Sequence, residues 1–139
     1  MQKNITIVGA GLAGSLCALY LAKRGHHVSI FERRNDLRSE IITAGKSINL
    51  ALSKRGLTAL KKVGVDAEVM KIAIPMYKRI MHDDKGNLTD QLYGNDGQAI
   101  YSVSRAQLNV LMMRLAAKNG ADLYFNEKCI EANLEQASV

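Results

Sequence analysis

The chain opens on the apolar, β-branched run KNITIV at residues 3–8, which predicts a buried strand. Apolar positions then recur at Leu12, Leu16, Leu19 and Ala22, three or four residues apart, the spacing of one helix face. Gly25 lies just past the end of the helix this predicts over 12–24. A second strand, HVSIFE, follows at 27–32. Strand, helix and strand within about thirty residues is the size of a βαβ unit.

Beyond that unit the pattern changes. In KSINLAL, residues 46–52, Ile48, Leu50 and Leu52 share one face at period two, a strand signal. A short helix over 54–63 turns Leu57, Leu60 and Val63 inward and Lys54, Arg55, Lys61 and Lys62 outward. Two strands, near 75–82 and 88–93, are joined by the turn DDKGN. Ser104, with Gln107 three residues on, predicts a capping box at the start of a long helix. Its expected inner face is Leu108, Leu111, Met112 and Leu115, and Gly120 ends it. Two last strands are expected near 122–126 and 129–134. A plain dinucleotide domain would continue with another helix and a third parallel strand. Extra strands at that point predict an α/β, Rossmann-like FAD-binding βαβ unit with a second sheet inserted. There are no repeats and no linker, and the only proline is Pro75. The final CIEANLEQASV stops just after a predicted strand. Residues 1–139 are therefore read as the N-terminal part of a longer FAD-binding domain.

The loop between the first strand and helix is VGAGLAG, residues 8–14. Gly9 permits the tight turn, Gly11 lets backbone approach a pyrophosphate, and Gly14 lets helix and strand pack closely. The helix N-terminus offers free N–H groups and a positive dipole end to phosphates. Glu32 closes the second strand 18 residues after Gly14, where a carboxylate would accept ribose hydroxyls. A GxGxxG alone is weak evidence; here it has the strand before it, the helix after it and the acid at the right distance.

Composition narrows the partners. The net charge is +6, from 19 Lys and Arg against 13 Asp and Glu, which suits an anionic partner. A nucleic-acid binder is disfavoured, because the cations are spread along the chain and only 5 Tyr and 2 Phe are present. Residues 5–22 are uncharged and apolar enough to imitate a membrane or signal segment, but the β-branched start, the glycine spacing and the immediate second strand argue against it. No membrane segment is expected. Cys17 and Cys129 form no CxxC pair, which fits a reducing, cytoplasmic setting. His26, His27 and His82 make no metal set, and no nucleophile elbow stands out, so no catalytic side chain and no metal ligand is assigned.

Several runs resemble the kynurenine 3-monooxygenase family of flavin-dependent aromatic hydroxylases: GAGLAGSL, GKSINLALSKRGLTAL, IPMYKRIMH and LYGNDGQAIYSVSRAQLN, with the spacing between them. The resemblance covers about residues 5–130, and SINLALSKRG and YSVSRAQLN are its most specific parts. It implies bound FAD, NADPH as reductant, O2 as oxidant and hydroxylation of L-kynurenine to 3-hydroxy-L-kynurenine, in tryptophan degradation toward NAD biosynthesis. The later family segments, including the Gly-Asp run at the flavin ribityl chain, are absent, so the resemblance implies that this piece alone does not turn over. An NAD(P)-dependent oxidoreductase, or another FAD-dependent monooxygenase, is the alternative.

The resemblance also assigns residues. Gly9, Gly11, Ala13, Gly14 and Glu32 fall in its cofactor fingerprint, and Ala51 where backbone nears the cofactor, a plain core alanine being the rival reading. Arg105 sits in the first turn of the predicted long helix, where a cation opposes the dipole. It is either a tolerated surface arginine or, as the resemblance implies, an FAD contact. Arg33 and Arg34 are either a solvated pair at a strand end or adenosine contacts. In MYKRIMH a strand places Tyr77, Arg79 and Met81 on one face. Arg79 is then a structural partner of a carboxylate such as Asp90, a plain exposed arginine, or an anion-binding residue. The resemblance matches Arg79 and Tyr93 to the substrate-binding arginine and tyrosine of the family.

Overall fold

The computed structural model describes residues 1–39, 48–95, 97–133 and 135–136. In chain order its elements are β1 (Asn4–Val8), α1 (Leu12–Ala22), β2 (His27–Glu32), β3 (Asn49–Leu52), α2 (Lys54–Lys62), α3 (Asp66–Met70), β4 (Ile74–Met76), β5 (Lys78–His82), β6 (Leu88–Leu92), β7 (Ile100–Ser104), α4 (Arg105–Lys118) and β8 (Ala121–Phe125). They form two compact units, Met1–Ala44 with Ala106–Val139, and Gly45–Arg105.

The first unit holds a parallel sheet of order β1-β2-β8. β1 and β2 pair from Asn4↔His27 to Val8↔Phe31, and β2 and β8 from Val28↔Ala121 to Glu32↔Phe125. The central strand buries Val28, Ile30 and Glu32 at period two. β1 corrects the expectation of a buried strand. It alternates, and Val8 is exposed, because β1 is an edge of this sheet. α1 also differs from its expected face: Ser15, Ala18 and Leu19 are buried, whereas Leu12 and Leu16 are only half-buried. The reason is close approach. A Cβ built on Gly14 would land on the Gly9 carbonyl oxygen, and the Ser15 hydroxyl donates to the Ala10 carbonyl at 3.2 Å. Small residues therefore occupy the contact beside Leu19, and Leu12 and Leu16 flank it.

α4 begins right after Ser104, as expected, but its buried residues are Leu108, Asn109, Val110, Met112, Met113 and Ala116. Leu111 and Leu115, expected inward, are half-buried, because the covered arc is wider than a single stripe. β8 matches its expectation. No strand is assigned in the described part of the run expected at 129–134: residues 129–133 are exposed, with Ile130 90% accessible, and Asn133 makes only an isolated bridge, while residue 134 lies outside the described residues.

The second unit holds an antiparallel sheet of order β3-β7-β4 and a separate β5-β6 hairpin. β3 keeps Leu50 and Leu52 half-buried, with Ile48 exposed just before it; Lys46 and Ser47 lie outside the described residues. α2 buries Leu60 and Val63 as expected, and Lys61 and Lys62 in its last turn complement the helix dipole. The strand predicted over 75–82 divides at Tyr77. β4 pairs with β7 and β5 with β6, so one sequence run serves two ladders. β7 and α3 were not anticipated. The 83–87 turn closes on Asp83, whose carboxylate accepts from the backbone of Lys85 and Asn87 at 2.9 and 2.7 Å.

Candidate nucleotide site

The first unit brings the fingerprint loop and Glu32 together. Gly9 has φ +99°, a backbone that disfavours a side chain, and its N–H donates to the Phe31 carbonyl at 2.8 Å. That bond ties the loop to the end of β2. Gly11 caps α1 with extended backbone and without a side-chain hydrogen bond, and the first turn carries no acid. The helix therefore presents bare N–H groups. A Cβ at Gly11 would meet nothing within 4 Å, so the empty space above it is open to a ligand.

Glu32 is 6% exposed, placed inward by the same period that buries Val28 and Ile30. Its Oε2 accepts from the Ala10 N–H at 2.9 Å, and its Oε1 from the Arg34 N–H at 3.0 Å. The Arg34 guanidinium adds Nε to Oε1 at 2.8 Å and Nη2 to Oε2 at 3.3 Å. These bonds, Arg34 first, pull the carboxyl from 4.5 down to about 2 against the opposing effect of burial. Glu32 already fastens the fingerprint loop to β2. Arg34 is thus ion-paired to Glu32, while its side chain stays more than half exposed on the cavity wall.

A cavity of about 390 Å³ opens at the carboxyl ends of β1 and β2, the end at which parallel α/β sheets bind ligands. Gly9, Gly11, Glu32, Arg33 and Arg34 line it together. Sequence reasoning missed its far wall, Glu127, Lys128 and Cys129. Asn126, at φ +61°, turns the chain after β8. The Asn126 and Glu127 N–H groups then donate to the Arg34 and Glu32 carbonyls at 3.2 and 3.0 Å. The left-handed asparagine was the only local signal. Ala13 is exposed on the first turn of α1, and Gly14 lies behind the loop.

The remaining candidates belong to the second unit. Ala51 is exposed on β3 opposite Ser102. Arg105 is exposed at the first position of α4, and its N–H donates to the Ile48 carbonyl at 3.0 Å. Arg79 donates Nε to Gln91 Oε1 at 2.6 Å. Asp90 pairs instead with Lys78, at 2.5 Å on the opposite face, so the Arg79–Asp90 bridge does not form. Tyr93 stands across from Tyr77, bonded N–H to carbonyl at 3.0 Å. Register therefore puts Tyr77, Arg79, Gln91 and Tyr93 on one face of the hairpin. Among the described residues no three His, Cys, Asp or Glu side chains cluster as a metal set, and no helix is long and apolar enough to cross a membrane.

Residues 7–70 match the NAD(P)-binding Rossmann-like domain. Kynurenine 3-monooxygenase of Christiangramia forsetii is 44% identical over 136 residues, 98% of this chain and 30% of that protein. The chain resembles the kynurenine 3-monooxygenases. It spans about a third or less of the curated kynurenine 3-monooxygenases it matches. Among solved structures, the tetrameric form of 2-methyl-3-hydroxypyridine-5-carboxylic acid oxygenase superposes with a TM-score of 0.76 at 19% identity, over 96% of this chain and 33% of that one. The p-nitrophenol 4-monooxygenase PnpA from Pseudomonas putida superposes with a TM-score of 0.74 at 17% identity, over 96% and 34%. The fold shared with these aromatic-ring oxygenases is the α/β, Rossmann-like type with inserted strands.

Proposed function

We propose that this chain is the FAD-binding portion of a monooxygenase that hydroxylates L-kynurenine to 3-hydroxy-L-kynurenine with NADPH and O2. The observation that carries the reading is the cavity in which Glu32, the bare α1 N-terminus and the open space at Gly11 meet. These residues fit a dinucleotide: cations and helix N–H groups for the pyrophosphate, a carboxylate for the ribose. Similarity to the kynurenine 3-monooxygenases supports the choice of flavin and substrate. Bound flavin supplies the redox chemistry and oxygen activation. The chain's own residues bind and orient it. Gly9, Gly11, Ala13 and Gly14 shape the pyrophosphate loop, Glu32 with Arg33 serves the adenosine end, where Arg34 stands as the ion-pair partner of Glu32, and the resemblance puts Ala51 and Arg105 on the flavin side. Arg79 holds the substrate carboxylate through its planar fork, and Tyr93 lines the ring side. The two free, unpaired cysteines fit a cytoplasmic enzyme.

The first test is Gly11→Val. Its side chain has open space in the protein and Gly11 has φ −71°, which any residue adopts. The fold should stand, while the branched side chain meets the pyrophosphate. Flavin affinity should fall roughly 100-fold, the scale of an overpacked contact. Full flavin retention with an unchanged melting temperature would sink the assignment. The match to an NAD(P)-binding domain favours a second reading, a nicotinamide-linked oxidoreductase. Visible flavin absorbance in the purified full-length protein separates the two.

Arg79→Lys tests the substrate residue. It keeps the charge, loses the fork, and gives up only an exposed bond to Gln91. Kynurenine binding should weaken by about 1.5–3 kcal/mol, the scale of a charge-assisted hydrogen bond. Flavin content and Tm should hold. A drop in Tm with unchanged kynurenine affinity would make Arg79 structural.

A further inference from the structure

The acceptor positions of Glu32 are full. A carboxylate offers about four. Two are taken by the backbone N–H groups of Ala10 and Arg34, which loop and strand fix in place. The other two are taken by Nε and Nη2 of the Arg34 guanidinium. A ribose that uses Glu32 therefore has to take its positions from the guanidinium. The two sides of that pair are unequal. Glu32 is buried, whereas the Arg34 side chain is 56% exposed and also lines the cavity. The arginine can leave into water; the carboxylate cannot.

We infer that Arg34 is a displaceable occupant of the ribose subsite, and that it makes the site selective for a vicinal diol. This rests on the reading of the cavity as a nucleotide site. The guanidinium leaves two acceptor positions at once, one on each oxygen. A ribose with both hydroxyls refills both as two O–H donors. A sugar with one hydroxyl refills one, and either strands the other oxygen or leaves the arginine in place. Exchange is thus nearly even for a diol and unfavourable for a single hydroxyl, because an exposed ion pair contributes little while a half-satisfied buried carboxylate is costly. While the site is empty, the same arginine keeps Glu32 ionised and holding the Ala10 N–H.

The experiment compares adenosine with 2′-deoxyadenosine on the full-length protein freed of flavin, by NMR titration. Both probes are neutral, so the arginine charge itself does not enter. The wild-type protein should prefer adenosine by about tenfold. In Arg34→Met the preference should shrink to about threefold or less, with adenosine binding as tight as before or tighter. Arg34→Gln, which offers one neutral amide NH2 on a shorter side chain in place of the charged fork, should fall between. In the wild type, the Arg34 Nε–H, bonded to Glu32 Oε1, should exchange faster when adenosine binds and keep its rate with the deoxy probe. Weaker adenosine binding in Arg34→Met would make Arg34 a direct nucleotide contact and overturn the inference. So would an unchanged preference across the variants. Failure of the wild type to bind either nucleoside or FAD would instead overturn the nucleotide-site reading itself.

Discussion

Gly14→Ala should lower the melting temperature by roughly 10 °C and abolish tight flavin binding together. The added methyl falls on the Gly9 carbonyl oxygen, with the Gly9 carbonyl carbon at 3.3 Å and Ile7 Cγ2 at 3.4 Å. The first two are backbone, which cannot rotate away. α1 has to lift off β1, or the loop has to leave the φ +99° conformation that Gly9 holds. Overpacking of this kind costs about 3 kcal/mol or more. The better helix propensity of alanine returns about 1 kcal/mol. The net loss of about 2 kcal/mol corresponds to roughly 10 °C in a domain of this size. Moving the loop also moves the Ala10 N–H away from Glu32, so binding falls with stability. Gly11→Ala is the control. Its methyl meets nothing within 4 Å, and its Tm should stay within a degree or so of wild type. Equal melting temperatures for the two alanine variants would refute the close-packing role of Gly14.

That contrast shows what the sequence could tell. The glycine spacing, the strand before it, the helix after it and the distance to Glu32 are local signals, and each came through in the structure. The helix face came through only in part. Periodicity found Leu19, which is fully buried, but Ser15 and Ala18 take the other buried positions in place of Leu12 and Leu16, because Gly14 draws the helix closer than leucines there allow. Hydrophobicity measures what wants burial; it does not measure how near two backbones can come. The same limit explains 129–134, a run expected as a strand whose described residues 129–133 stay exposed outside any strand. It also explains 75–82, where one continuous run is shared between β4 and β5 because β7, itself unanticipated, claims the first half.

The candidate site divides along the same line. Residues fixed by the βαβ geometry, namely Gly9, Gly11, Glu32 and Arg33, were legible and line one cavity. Lys128 and Cys129 were not, since they arrive through the chain reversal at Asn126 and two backbone bonds to the Glu32–Arg34 segment. Arg34 was named, but its role was out of reach. A sequence shows that Glu and Arg lie two residues apart at a strand end. It does not show that the carboxylate turns inward and the guanidinium folds back over it.

Glu32→Gln should remove the Glu32 share of the acid sensitivity and much of the order of this site. In the folded protein the Glu32 carboxyl titrates near 2, against 4.5 for its ordinary value. Between those values the unfolded chain binds the proton and the folded chain does not. The stabilisation is therefore complete above about pH 4.5 and drains away as pH falls toward 2. Its size is roughly 2–3 kcal/mol once the exposure of Arg34 is allowed for. Asp36, held below the usual carboxylate range by Arg38, adds a loss of the same sign that the variant keeps. Glutamine has one acceptor oxygen where the carboxylate had two. It cannot satisfy both the Ala10 N–H and the Arg34 donors, and its amide N–H groups face them. At pH 7 the variant should lose roughly 2–3 kcal/mol of stability, and its flavin should dissociate readily because the ribose acceptor is gone. Acid unfolding followed from pH 7 down to pH 2 checks the electrostatic half (the range is roughly that over which carboxylates titrate). The wild-type and variant curves should converge toward the acid end, since the protonated carboxyl is then little better than the amide. A gap between them that stays constant with pH would mean that Glu32 contributes packing and not charge. The tie between its carboxylate and the fingerprint loop would then not be what holds the nucleotide site in shape.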